Sequence, residues 1–394
     1  MSTLQSLFVL LLVAYMGGFL MGGRGLRGRG LPSGSEWLVA GFVAGPAALG
    51  LVGGAEVAHF APLALLATGW IALLVGLTFG ADGERRIGAG GITLGVVLGL
   101  LSFAGVAGAV WLVLDRVPSA GALFPDRSQW FALAVSVGAA LADTSRHVAR
   151  WAAERLDARG PVLERVSGIT RSDDLVPITV LSLLVSLDAS QGVRPLPMGG
   201  FALGGVLGLT FAGLLGRTLR PATFWSLLFG FSLLATGLAD RFDLSVLATG
   251  FSLGLALAVA SPLRVRALEM AGGVEGAIIL PALFLAGART AGPSGPALWL
   301  LGAALLARLA SALVGAALVA LVDPRARRGG PWLALAFFST GPLGIAIALF
   351  VDLRSPGPVG DLVLATTVVA AVLGEFLGPP ALRRALRRAG EVAP

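Results

Sequence analysis

The chain has 394 residues, of which 56% are hydrophobic and only 13% charged, and its mean hydropathy is +0.87. A soluble domain carries about 25% charged residues, so this composition excludes one and leaves room for a dozen or so membrane spans of about 20 residues. With no cysteine and two histidines, His59 and His147, disulfides, thiol chemistry and a histidine metal cluster are excluded; the net charge of +7 is carried by arginines, mostly in the breaks between apolar runs, and does not point to nucleic acid.

The first apolar run, 4–22, lacks a charged start and a small-residue cleavage site and reads as a retained span. Segments 36–52, 60–81, 88–114, 129–151, 161–188 and 197–217 follow, and then 222–239, 243–260, 272–288, 296–322, 331–352 and 358–378. Between them lie plain breaks such as Arg24 to Arg29, Asp82 to Arg86, Pro118 to Ser128, Arg217 to Pro221, Ser261 to Arg266 and Asp323 to Arg328. With the N-terminus outside, twenty arginines fall on the inner side and six on the outer (Arg116, Arg127, Arg194, Arg241, Arg289 and Arg354). That bias, alternating loop by loop, follows the positive-inside rule and predicts thirteen spans with the C-terminus in the cytoplasm. Residues 379–394 form a basic tail, and Ala381 to Arg388 reads as an amphipathic extension on anionic headgroups.

Ionisable groups deep in a bilayer cost at least about 2.5–3.5 kcal/mol each, so the few present mark a candidate site. At about 1.5 Å per residue, Asp174 of Arg171-Ser-Asp-Asp174 lies roughly 20 Å along segment 161–188, and Arg308 lies roughly 18 Å along segment 296–322. Asp143-Thr-Ser145 in segment 129–151 and Ser339-Thr-Gly-Pro-Leu-Gly344 in segment 331–352 reach similar depth. Thr340, Gly341, Pro342 and Gly344 together favour an unwound helix with exposed backbone dipoles. Paired broken helices running in opposite directions are the recurring construction of transporter ion sites; an ordinary proline kink is the alternative.

Neighbouring aspartates on a helix point about 100° apart. Asp173 is therefore expected to pair with Arg308 while Asp174 faces water and binds a proton or a cation in competition. Pro177 removes the amide that would bond the Asp173 carbonyl, leaving that oxygen as an extra cation ligand. Arg171, on the face of Asp174, offers a second arrangement in which Arg171–Asp174 and Asp173–Arg308 are two neutralising ion pairs without an ion site. Asp143 reads either as a third site carboxylate or as a cap on the second half-helix. His147 and the pair Glu269 and Glu275 read as structural residues of the inner side, and Glu375 is deep but has no evident partner.

These residues resemble the cation:proton antiporter superfamily, in particular its bacterial two-aspartate sodium/proton antiporters, over nearly the whole chain. Gly30-Leu-Pro32 with Ala40 to Pro46 resembles the opening of the first repeat, and Val75-Gly-Leu77 resembles a glycine-leucine signature. Ala142-Asp-Thr-Ser145 resembles the break of the first discontinuous helix, Ser172-Asp-Asp174 matches the two-aspartate motif, and Arg308 stands where lysine is usual. The resemblance implies an all-α polytopic fold of inverted repeats, with two discontinuous helices crossing near the midplane. It implies a homodimer of the inner membrane that exchanges a monovalent cation, sodium foremost, for protons by an elevator motion, with no resident cofactor and no enzymatic activity. Asp174 and Asp173, with Asp143, Thr144 and Ser145, would form the ion- and proton-binding group, and Arg308 and Arg171 would be charge partners. Segments within 1–81 and 222–288 would form the dimerising scaffold, 88–188 and 296–378 the mobile core, and 197–217 a linker. Three features depart from the family pattern: an arginine at 308 that cannot release a proton, the added charge of Arg171, and a second break without the usual arginine and glutamate. The arginines 171 and 308 also suit an anion, so a carrier of another solute on the same fold, such as an organic-anion or sodium-coupled symporter, is the rival reading, and a non-transporting membrane protein a third.

Overall fold

A computed structural model describes residues 33–52, 59–79, 89–186, 198–214 and 221–392. The expected span 4–22, Gly30-Leu-Pro32, and the arginines at 24, 27, 29, 85, 86, 194, 217 and 220 lie outside the described residues. All regular structure among the described residues is helical, apart from short turns.

The helices of seven residues or more are α1 (Ser35–Ala44), α2 (Ala61–Phe79), α3 (Ala89–Arg116), α4 (Arg127–Ala140), α5 (Arg146–Arg155), α6 (Pro161–Ser172), α7 (Leu175–Ser186) and α8 (Gly199–Leu214). They continue with α9 (Pro221–Arg241), α10 (Val246–Ala260), α11 (Arg264–Gly273), α12 (Glu275–Arg289), α13 (Ala297–Val322), α14 (Trp332–Phe338), α15 (Pro342–Arg354) and α16 (Pro358–Ala389). Six stretches among the described residues are single helices, or α14–α15 taken together, long and apolar enough to cross a membrane, and the bent pair α11–α12 makes a seventh. The helices α1, α8 and α10 are apolar but shorter, so length and composition do not establish the count of thirteen.

Four expected segments differ in detail from the observed helices. Segment 36–52 is helical only to Ala44, because Gly45 is extended ahead of Pro46, as a residue before proline prefers. Segment 161–188 is not one helix: α6 stops at Ser172 and α7 starts at Leu175, so the aspartate pair forms the interruption. Segment 272–288 starts earlier, in α11, which meets α12 at a bend of 44° beside Gly272 and Gly273. Segment 358–378 runs on through Pro379 and Pro380 to Ala389 in one helix. The apolar face of that tail, expected on headgroups, is instead covered by protein: Leu382, Ala385 and Leu386 are fully buried against residues of α5, α6 and α14.

Two packed groups result. One joins α1, α2 and α8 to α12, and the other joins α3 to α7 with α13 to α16. Small residues allow the close approach within the first group. A side chain on Gly76 would stand 2.1 Å from the Phe251 carbonyl oxygen, and one on Gly254 would stand 2.2 Å from that of Leu73, so α2 and α10 touch backbone to backbone. The groups meet where α15 packs on α2 and α12, and also through α7 on α10 and α16 on α1.

Candidate ion site at the crossing of two broken helices

Besides the interruption between α6 and α7, the second group contains two more broken helices, α4–α5 and α14–α15. After Ala140 the chain runs as an irregular stretch to Ser145 before α5 begins; after Phe338 it does so to Gly341 before α15 begins. The interruptions lie against each other. The Ser145 amide donates to the Ser339 carbonyl at 2.9 Å, and a side chain on Gly344 would stand 2.2 Å from the Ala140 carbonyl oxygen. Unwinding leaves helix ends whose amides and carbonyls need partners, and two charged side chains, Asp143 and Arg308, supply several of them.

Asp143 serves the positive end of α15. Its Oδ2 accepts from the Gly341 and Gly344 amides at 3.0 Å each, as an N-terminal cap does, although it comes from the opposite broken helix. Gly341 is required here, since a side chain on it would come within 2.7 Å of that same oxygen. Arg308, on α13, serves the negative ends. Its Nη2 donates to the Phe337 carbonyl at 2.8 Å, the Asp143 carbonyl at 3.0 Å and Thr144 Oγ1 at 3.1 Å, and its Nη1 donates to Ser102 Oγ at 2.7 Å. A guanidinium suits this position because its fixed fork of donors reaches two chain ends at once while favouring helix C-termini by charge.

The expected Asp173–Arg308 ion pair is therefore not formed. Arg308 turns its donors to the broken helix ends, and both Asp173 carboxylate oxygens are buried without a hydrogen-bond partner among the described residues. Nor is the Asp173 carbonyl left free by Pro177, because the Val176 amide reaches it at 3.1 Å in a tighter turn. The carboxylates gather with a third: one oxygen each of Asp143, Asp173 and Asp174 lie within 4.8 Å of one another, all buried. Asp174 and Asp143 also line a small cavity with Arg146, Gly341, Pro342, Leu343 and, from α2, Ile71. Its volume is about 10 Å³, the space of roughly one water molecule. A triangle of carboxylate oxygens of this size, beside a pocket for one small particle, is the donor set that hard cations take.

The remaining candidates are placed as follows. Thr144 contacts Arg308, and the Ser145 hydroxyl meets that of Ser33 at 2.8 Å. The Thr340 hydroxyl is buried without a hydrogen-bond partner among the described residues. Arg171 is half-buried near the end of α6 and does not line the cavity. Glu375 has a partner after all, since the hydroxyl and amide of Ser33 both bond its carboxylate. Sequence reasoning missed Arg146 as a cavity residue and Glu275 as its ion-pair partner at 3.1 Å. The available signal was position: Arg146 directly follows the Asp143-Thr-Ser145 break.

No protein-family model matches the chain, and no curated protein matches it either. Solved structures do, and they show the fold: the chain is a multi-span membrane protein with the cation:proton antiporter fold. The sodium proton antiporter MjNhaP1 from Methanocaldococcus jannaschii at pH 8 aligns at a TM-score of 0.71 and 16% identity, over 99% of this chain and 100% of that one. A second structure of that antiporter, an electron-microscopy map, aligns at 0.66 and 15% identity over the full length of both chains.

Proposed function

We propose that the protein is a secondary antiporter that exchanges a monovalent cation, sodium foremost, for protons across the inner membrane, as a homodimer with an elevator-type motion of its core. The observation that carries this reading is the triangle of Asp143, Asp173 and Asp174 oxygens within 4.8 Å at the crossing of two broken helices. Three carboxylates this close repel one another when all are ionised, so the group is stabilised by a cation or by protons. The two compete for the same oxygens, and that competition is what couples opposite fluxes.

Asp174 is the carrier in this scheme, since it opens on the cavity, and Asp173 supplies further oxygens beside it. Arg308 remains charged at every accessible pH and keeps the helix ends satisfied without taking part in proton exchange. The fold shared with MjNhaP1 supports the same reading. The second group of helices, α3 to α7 with α13 to α16, would be the moving core, and α1, α2 and α9 to α12 the scaffold, with α8 linking them. Purified protein in liposomes with an imposed pH gradient tests it: addition of sodium, lithium or potassium is expected to dissipate the gradient. If all three leave it intact in correctly inserted protein, the antiport reading is wrong.

A further inference from the structure

Arg146, the first residue of α5, lines the cavity together with Asp174 and Asp143. A guanidinium there is a tethered rival to any cation, because it never loses its proton and its tether holds it at an effective concentration of about millimolar or more. In the structure it is turned elsewhere. Its Nη2 lies 3.1 Å from Oε1 of Glu275, the first residue of α12 just beyond the 44° bend.

Glu275 is itself held from α5, with His147 Nε2 at 3.2 Å and Arg150 Nη1 at 3.6 Å. The backbones of α5 and α12 barely approach each other, so these side chains make the connection between the two helices. The connection is sheltered, with the Glu275 side chain only 12% exposed. Arg146 thus stands between two sets of negative charge, Glu275 on one side and Asp174 with Asp143 on the other.

We propose that Glu275 is a positioning residue that holds Arg146 off Asp174, and that Arg146 is a built-in cation which occupies Asp174 whenever Glu275 releases it, so that the pair sets the apparent affinity for the transported ion. The proposal rests on the reading of Asp174 as the carrier. It also gives α12, outside the broken-helix group, control over the site: movement of α5 relative to α12 breaks the Glu275 contacts and delivers Arg146 to the carboxylates, displacing the bound ion.

The test uses full-length protein in proteoliposomes and reads the apparent KM for whichever of sodium, lithium or potassium the unaltered protein exchanges. Glu275→Gln is expected to raise that KM about tenfold or more, the effect of an opposite charge newly placed beside a carboxylate. Arg146→Gln is expected to lower it, and the double variant is expected to match Arg146→Gln, because Glu275 acts only through Arg146. An equal rise on removing Glu275 with and without Arg146 overturns the proposal, as does an unchanged KM in a folded Glu275→Gln protein. Should Glu275→Gln not fold, Arg146→Gln decides: a KM that stays level or rises overturns it. Absence of exchange in the unaltered protein strikes the antiport reading itself and is seen before any variant is made.

Discussion

Arg308 is only 1% exposed, and its hydrogen-bond partners are neutral oxygens: the Asp143 and Phe337 carbonyls and the Thr144 hydroxyl at the two breaks, and the Ser102 hydroxyl on α3. Removing it leaves the Asp143 and Phe337 carbonyls without that donor, at roughly 1–3 kcal/mol for each. Arg308→Leu is therefore expected to lower the melting temperature in detergent by more than Asp173→Asn, which breaks no hydrogen bond; the reverse order would refute the assignment. Asp174→Asn has a different signature: exchange is expected to vanish in liposomes while melting stays close to that of the unaltered protein. Retained exchange would remove Asp174 from the carrier role. The burial of these residues among apolar segments was legible in the sequence, because ionisable groups are costly there and so stand out. The partner of Arg308 was not, because carbonyl acceptors exist at every position and only the fold reveals which ones are unsatisfied.

Among the elements, the breaks and the crossings decide stability. Gly254→Ala forces α10 against the Leu73 carbonyl of α2, and overpacking of this kind costs about 1–3 kcal/mol. Gly302→Ala on α13 meets nothing within 4 Å and is expected to be neutral or to gain up to about 1 kcal/mol from helix propensity. Melting curves of the two variants side by side check the contrast, and equal losses would contradict it. Gly341, Pro342 and Gly344 announced one interruption in the sequence, because their chemistry disfavours a continuous helix. The interruption at Asp173 and Asp174 was announced only by Pro177, which has no amide to bond the Asp173 carbonyl, so that Val176 closes a tighter turn there. The helix α11 was not announced, because its Arg264-Val-Arg266 start is indistinguishable from an inner loop by composition.

Across the whole molecule, the end of the fold that holds the C-terminal segment is fastened by contacts between residues far apart in the chain. Glu391, near the C-terminus, accepts from the Val162 and Leu163 amides at 2.7 and 3.0 Å, capping the helix that ends in the aspartate pair. Glu391→Ala is expected to cost about 0.5–2 kcal/mol, as loss of a cap does, with hydrogen exchange rising first at the start of α6; unchanged exchange there would contradict it. Arg165 binds Asp323 at 2.6 Å in the loop after α13. Burial pushes the Asp323 carboxyl up, but the bonds from Arg165 and from the Arg325 amide pull it further, to a net position below the usual carboxylate range. Its stabilisation is thus complete above about pH 4 and fades as pH falls through the lowered value, so Asp323→Asn should flatten the acid limb of a melting-temperature profile. Such long-range fastenings carry no local signature in the sequence. One consequence concerns the two interruptions, which are tied by Asp143 from one side, by Arg308 from the other and by the Ser145–Ser339 bond between them. Each thread completes its neighbour, so neither can be pulled across the bilayer alone. On the proposed exchange, an excursion that turns the carboxylates towards the opposite compartment would ferry the entire knot, with a permanent positive passenger aboard.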